Sequence, residues 1–191
     1  PPEEDLAPRL DPDLWDGLTL SIDDPRGAME HFYDQLNDVA LGEEGHLVRV
    51  GLYSVSTNGA DRVTQTMRTT LAELFGDGGK GFVPVDPGWA SQEHRDVEWE
   101  SRRWSSFVVN EGERDDGRYG YGGVLAESFN ENAVASFGTV ASGPCNRQMT
   151  RFRLLYQAWP EGPDVVLRVD GEREQVLSTR ADGLEDRVLD L

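Results

Sequence analysis

The sequence predicts an α/β unit followed by a β-sandwich or jelly-roll region. The stretch 47–81 reads as a strand, a polar turn, an amphipathic helix and a Gly-rich exit, the half-unit of a doubly wound sheet. From residue 105 onward the texture changes to short alternating runs separated by turn residues. No helical stripe appears in that second part. These observations divide the chain into an extended arm (1–24), an α/β portion with its connecting segment (25–103) and a sandwich region (104–191).

Half of the ten prolines fall in the first 25 residues. Proline fixes φ and removes an amide donor, so this arm is expected to run extended over the surface. Asp24-Pro25 then opens a helix, with Asp24 as cap and Pro25 at the first helical position. Met29, Phe32, Leu36, Val39 and Ala40 form its apolar stripe, and Gly42 ends it. Val48, Val50 and Leu52 alternate with Arg49 and Gly51 in an expected core strand over 47–53. A polar turn follows, and then a helix over 60–75 with Val63, Met67, Leu71, Leu74 and Phe75 on one side. Gly76 is its natural stop.

Residues 82–103 show little periodicity and read as a connecting segment. Short strands are expected over 105–110, 121–126, 133–138, 151–158, 165–169 and 175–178. In the fourth of these, Phe152, Leu154 and Tyr156 alternate with Arg151, Arg153 and Gln157, the pattern of a half-buried strand. Asp170-Gly171 between two strand-like runs signals a tight hairpin.

Composition bounds the function classes. The 191 residues are 37% hydrophobic and 28% charged, as in a globular chain. A net charge of -18 repels phosphate backbones and argues against nucleic-acid binding. The single cysteine, Cys145, forms no internal disulfide and reads as structural. No apolar run approaches the roughly 20 residues of a membrane span, and the opening PPEEDLAP reads as a linker or mature terminus. Three histidines without ligand spacing give no metal site, and no cofactor fingerprint is present. GDGGKGF lacks the Gly-Lys-Ser/Thr ending of a phosphate loop and follows a helix instead of preceding one.

The turn and its surroundings resemble a known family. SVSTNGADRVT and the following MRTTLAELFGDGGKGFVPV resemble the first motif, helix and Gly-rich exit of SGNH (GDSL-like) hydrolases that carry an inserted β-sandwich. In their style the motif reads approximately GDSHTAGDRIT, followed by FGDGGxGFV. HRDVEW, RYGYGGV and TRFRLLYQAWPEGPDVVLRVDGE resemble the later part, so the likeness covers roughly residues 25–191. It implies a partial SGNH-like, flavodoxin-like α/β unit and places the family's nucleophile at Ser56. The motif's Gly and Asp are here Ser54 and Val55. The family's Asp-x-x-His is absent, and no histidine follows His94. A serine without a base is a poor nucleophile. The chain therefore reads as a fragment, or as one whose remaining strands come from another chain.

Three readings follow. The first is a degenerate, non-catalytic SGNH-like protein that binds glycan or scaffolds an extracellular or envelope assembly. Asn58, Trp104, Tyr119 and Tyr121 would bind the ligand, with Trp159 a further stacking candidate. The second is a serine esterase acting on an acylated glycan, with Ser56 attacking the acyl carbon and its Asp/His base in a missing C-terminal part. The third is a structural subunit whose open sheet edge is covered by a protein partner. The acidic charge and the sandwich lean towards an exported or surface location.

Overall fold

The computed structural model describes residues 22–43, 45–53, 60–112, 114–143, 145–171 and 173–191. Among these residues there are two α-helices, α1 (Glu30–Ala40) and α2 (Arg62–Phe75). The eight strands are β1 (Glu98–Arg102), β2 (Ser105–Val108), β3 (Val124–Glu127), β4 (Val134–Gly138), β5 (Arg153–Ala158), β6 (Asp164–Val169), β7 (Arg173–Ser178) and β8 (Glu185–Asp190). They pair as four two-stranded sheets: β1 with β4, β2 with β3, β5 with β8 and β6 with β7. The last three are antiparallel.

This overturns the expected α/β fold class, the partial SGNH-like unit followed by a sandwich. The 47–53 stretch forms no strand. Its apolar side chains stay open, with Leu47 and Leu52 each 39% and Val50 48% exposed. A strand exists only through ladder partners, and a parallel one needs a second strand after its crossover helix. Here the chain leaving α2 enters the irregular 76–97 segment, so among the described residues 47–53 has no strand to pair with. The strands that do form stay in separate two-stranded ladders.

The chain forms two compact units. Unit 1 comprises 1–81, 93–98 and 138–147, and unit 2 comprises 82–92, 99–137 and 148–191. In unit 1 the Asp24 carboxylate accepts the amides of Ala28 (2.8 Å) and Met29 (2.7 Å), bracing the turn that leads into α1. These amides hold its pKa below the ordinary carboxylate value. α2 ends at Gly76, which adopts φ 95° and returns its amide to the Ala72 carbonyl. No residue of either helix is fully buried, so both apolar stripes remain partly open.

In unit 2, β5 and β8 pair Arg153 with Asp190 and Leu154 with Leu189. Arg153 meets Asp190 through two hydrogen bonds (2.7 and 3.3 Å), which closes the polar side of this ladder. β6 and β7 form the hairpin expected at Asp170-Gly171, where both residues take positive φ (54° and 71°). Their outer face carries the Val166–Val176 pair, 51% and 59% exposed.

Gly162 joins these two ladders. The Trp159 amide donates to the Thr179 carbonyl (2.9 Å), and the Gly162 amide donates to Trp159 (2.9 Å). The Thr179 hydroxyl donates to the Pro163 carbonyl (2.7 Å). A Cβ on Gly162 would lie 2.0 Å from the Thr179 carbonyl oxygen. That neighbour is backbone and cannot rotate away. Gly162→Ala is therefore expected to destabilise unit 2 by about 1–3 kcal/mol. Gly183→Ala, with nothing within 4 Å of its added Cβ, should stay within about 0.5 kcal/mol. Urea unfolding of both variants measures the contrast, and equal midpoints would refute the crowding at Thr179.

Candidate functional site

Ser56 and Asn58 lie outside the described residues. Chemistry begins three residues beyond Asn58, in unit 1. Asp61 takes a left-handed conformation (φ 52°) immediately before α2 and is 5% exposed. Its carboxylate accepts from Arg68 Nη2 (3.1 Å) and the Arg95 amide (2.8 Å), and also from Thr64 Oγ1 and Lys80 Nζ. Lys80 donates as well to the Arg95 carbonyl, while Arg95 Nε reaches the Ala60 carbonyl (3.1 Å). One turn into α2, Gln65 donates to Asp96 Oδ1 (3.1 Å). Asp61, Lys80 and the 94–96 run come from three of the five stretches quoted above, and the fold brings these together in this unit.

The electrostatics are those of a structural tie. Burial opposes charge on Asp61, but Lys80, Thr64 and the Arg95 amide outweigh it, and the net effect is a lowered pKa. Four donors reach its two oxygens, Thr64 at Oδ1 and the other three at Oδ2. The His94 pKa falls to about 4, chiefly through burial, helped by Lys80 and Arg68 and opposed by Asp61. His94 is thus neutral near pH 7. Its low proton affinity makes it a weak general base, because an efficient base has a pKa near the working pH.

Cys145 is fully buried in the same unit, with Thr69 Oγ1 4.0 Å from its sulfur. The neighbouring Asn146 amide donates to Asp77 Oδ2 (2.6 Å). Asp77 belongs to the Gly-rich exit, so this carboxylate also serves to pin a loop.

Unit 2 holds the other expected residues. Trp104 is half-buried and donates Nε1–H to the Val134 carbonyl (3.0 Å). The Tyr119 hydroxyl accepts the Arg114 amide (3.1 Å) and donates to the Gly112 carbonyl, which closes the 112–119 loop. Tyr121 is 67% exposed and meets Phe82 edge-on at 5.2 Å between ring centroids. Trp159 is half-buried at the Gly162 junction.

At the far end of β3 from Tyr121, Arg103, Ser105, Phe107, Glu127, Ser128, Phe129 and Asn130 line a groove of about 390 Å³. Phe129 is 88% exposed. Ser128 Oγ donates to the Arg103 carbonyl (2.6 Å) and accepts the Asn130 amide (3.1 Å), which fixes the rim. The Arg114 guanidinium lies 4.4 Å from the Phe107 ring centroid and braces the groove's base. A hollow of about 520 Å³ beside Pro87, Trp99, Glu100, Ser101 and Arg102 has only the half-buried Trp99 as its aromatic. Phe129 is not among the aromatics expected from the sequence to stack on a ligand. Its signal was an aromatic isolated in the polar run Ser128–Asn132.

Breaking the Asp61–Lys80 pair should cost much, because an unpaired buried charge remains. Asp61→Asn is expected to lower stability by about 3–5 kcal/mol, and adding Lys80→Met should recover part of that loss. Urea unfolding of the single and double variants tests this, and an unaltered midpoint in Asp61→Asn would refute the tie. Between about pH 6.5 and about 4 the unfolded chain binds a proton at His94 that the folded chain refuses. His94's contribution is thus fully present above about pH 6.5 and lost as pH falls towards about 4. His94→Gln should flatten stability across that window. Asp61's own loss lies lower, below the ordinary carboxylate value. Among known proteins, the chain matches no family model, no curated protein and no solved structure.

Proposed function

We propose that the protein is a non-catalytic glycan-binding component, a degenerate relative of SGNH-type hydrolases acting in an extracellular or envelope assembly. The observation that carries this reading is the unit 2 groove. Sugar rings present an apolar C–H face and a polar edge. Phe129 supplies an open aromatic face for the first. Arg103, Glu127, Asn130 and Ser105 supply donors and acceptors around it for the second. A volume of about 390 Å³ lies in the range of small-molecule sites and suits one or two sugar rings. Scattered exposed aromatics are ordinary on protein surfaces, but this ring stands among convergent polar groups.

The non-catalytic half of the proposal draws on unit 1. His94 is a weak base, and the Asp61 carboxylate already holds four donors. The motif resemblance supplies the link to acylated carbohydrate.

Calorimetric titration with acetylated and deacetylated oligosaccharides tests the reading. Phe129→Ala should weaken binding about tenfold or more, a loss of about 1.4 kcal/mol. Oligosaccharide binding that is absent from the wild type, or unchanged in Phe129→Ala, would overturn it. Cleavage of an aryl acetate that Ser56→Ala abolishes would favour the esterase instead.

A further inference from the structure

We propose that the groove beside Phe129 selects an acidic sugar, with the Arg103 guanidinium pairing with the carboxylate of a uronic acid. This inference rests on the glycan reading of that groove. Two charged residues line it, Arg103 and Glu127. Glu127 is already countered: Arg114 Nη1 lies 3.5 Å from its Oε2, and the same guanidinium holds Asp116 at 3.1 Å. Arg103 is different. It is exposed, and no carboxylate among the described residues pairs with it. The neighbouring Arg102 has Glu100 at 3.5 Å. The chain holds 36 acidic residues against 18 Lys and Arg, so carboxylates are abundant and this arginine is still left without one. The groove thus offers one cation whose charge the described protein does not itself neutralise.

The backbone is a second, independent sign. Arg103 takes φ 64°, a left-handed conformation that L side chains avoid. It stands in the turn between β1 and β2, and Ser128 Oγ holds it there by donating to its carbonyl (2.6 Å). Glycine is the residue such a position favours. The strain of placing arginine there is not offset by any ion pair among the described residues. A ligand carboxylate supplies the missing partner. The guanidinium fork matches a carboxylate through two parallel hydrogen bonds, while the Phe129 ring covers the apolar face of the sugar. In a uronic acid the carboxylate stands at the edge of the ring, so one sugar unit meets both groups.

The test is calorimetric titration with tetramers of galacturonate, glucuronate and mannuronate, each beside its methyl ester, which keeps ring and linkage and removes the charge. The expected result is an acid form that binds about five- to tenfold more tightly than its ester. Arg103→Gln should close that gap, and Arg103→Lys, which keeps the charge without the fork, should restore part of it. Arg103→Gly removes the side chain and suits the positive φ, so loss of the gap in that variant cannot come from a strained turn. Arg102→Gln should leave the gap intact, which separates the site from general charge effects. Phe129→Ala should weaken acid and ester alike. Equal affinity for acid and ester, a gap that survives in Arg103→Gly, or no binding of any uronate would overturn the acidic-sugar inference. The glycan reading itself falls only if the acetylated and deacetylated oligosaccharides are unbound as well.

Discussion

Unit 1 depends on one buried carboxylate. Asp61 stands where a strand-turn-helix motif would deliver its chemistry, yet its oxygens are spent on Lys80, Arg68, Thr64 and the Arg95 amide. These donors come from α2, from the Gly-rich exit and from the 93–98 segment, pieces with few apolar contacts of their own. Neither helix buries a residue fully. Hydrophobic burial is therefore a thin source of stability here, and a charge network with good geometry carries a correspondingly larger share. Such a network is unforgiving. Each buried member is costly to leave alone, so the three segments are held together or not at all.

Unit 2 is organised differently. Its ladders are short and its tie is steric and backbone-based, at the meeting of Gly162 with Thr179. Ala158 and Leu177 are buried near that junction, and Val108 is buried in β2. Outside these positions the sheets keep apolar side chains in the open, as at Val166–Val176 and Leu155–Val188. Two-stranded ribbons are marginal alone, and a few close contacts give them a fixed register.

Local features were well marked in the sequence. Gly76 after α2 and Asp170-Gly171 at the hairpin act through their own backbone, so their effect is visible without knowing the neighbours. The expected helix start at Asp24-Pro25 fails: α1 begins at Glu30 with Met29 as its cap, and the Asp24 carboxylate closes the turn before it instead. β5 likewise announced itself by alternation, and β6 and β7 as strand-like runs on either side of Asp170-Gly171. The 47–53 stretch shows the limit: its alternation is real, but pairing is a property of two segments. β1 and β8 show the converse. EWESR and EDRVLD are so polar that only their partners, β4 and β5, make them strands. The site residues divide the same way. Trp104 and Tyr119 were chosen as aromatic types, and the fold gives their polar atoms to Val134, Gly112 and Arg114. The open ring of Phe129 depends on a groove assembled from β2, β3 and the residues flanking them, which no local pattern encodes.

Three separate stretches of unit 1 contribute Asp61, Lys80 and the 94–96 run to one cluster. Every described contact of Asp61 within it holds chain to chain. A motif can persist for such a reason alone. Its charged residues satisfy each other in a poorly buried region, and altering one strands the rest. Catalysis asks for more: an exposed nucleophile, a base of suitable pKa and donors aimed at developing charge. Asp61 holds four donors and His94 is a weak base, the arrangement of a structural tie.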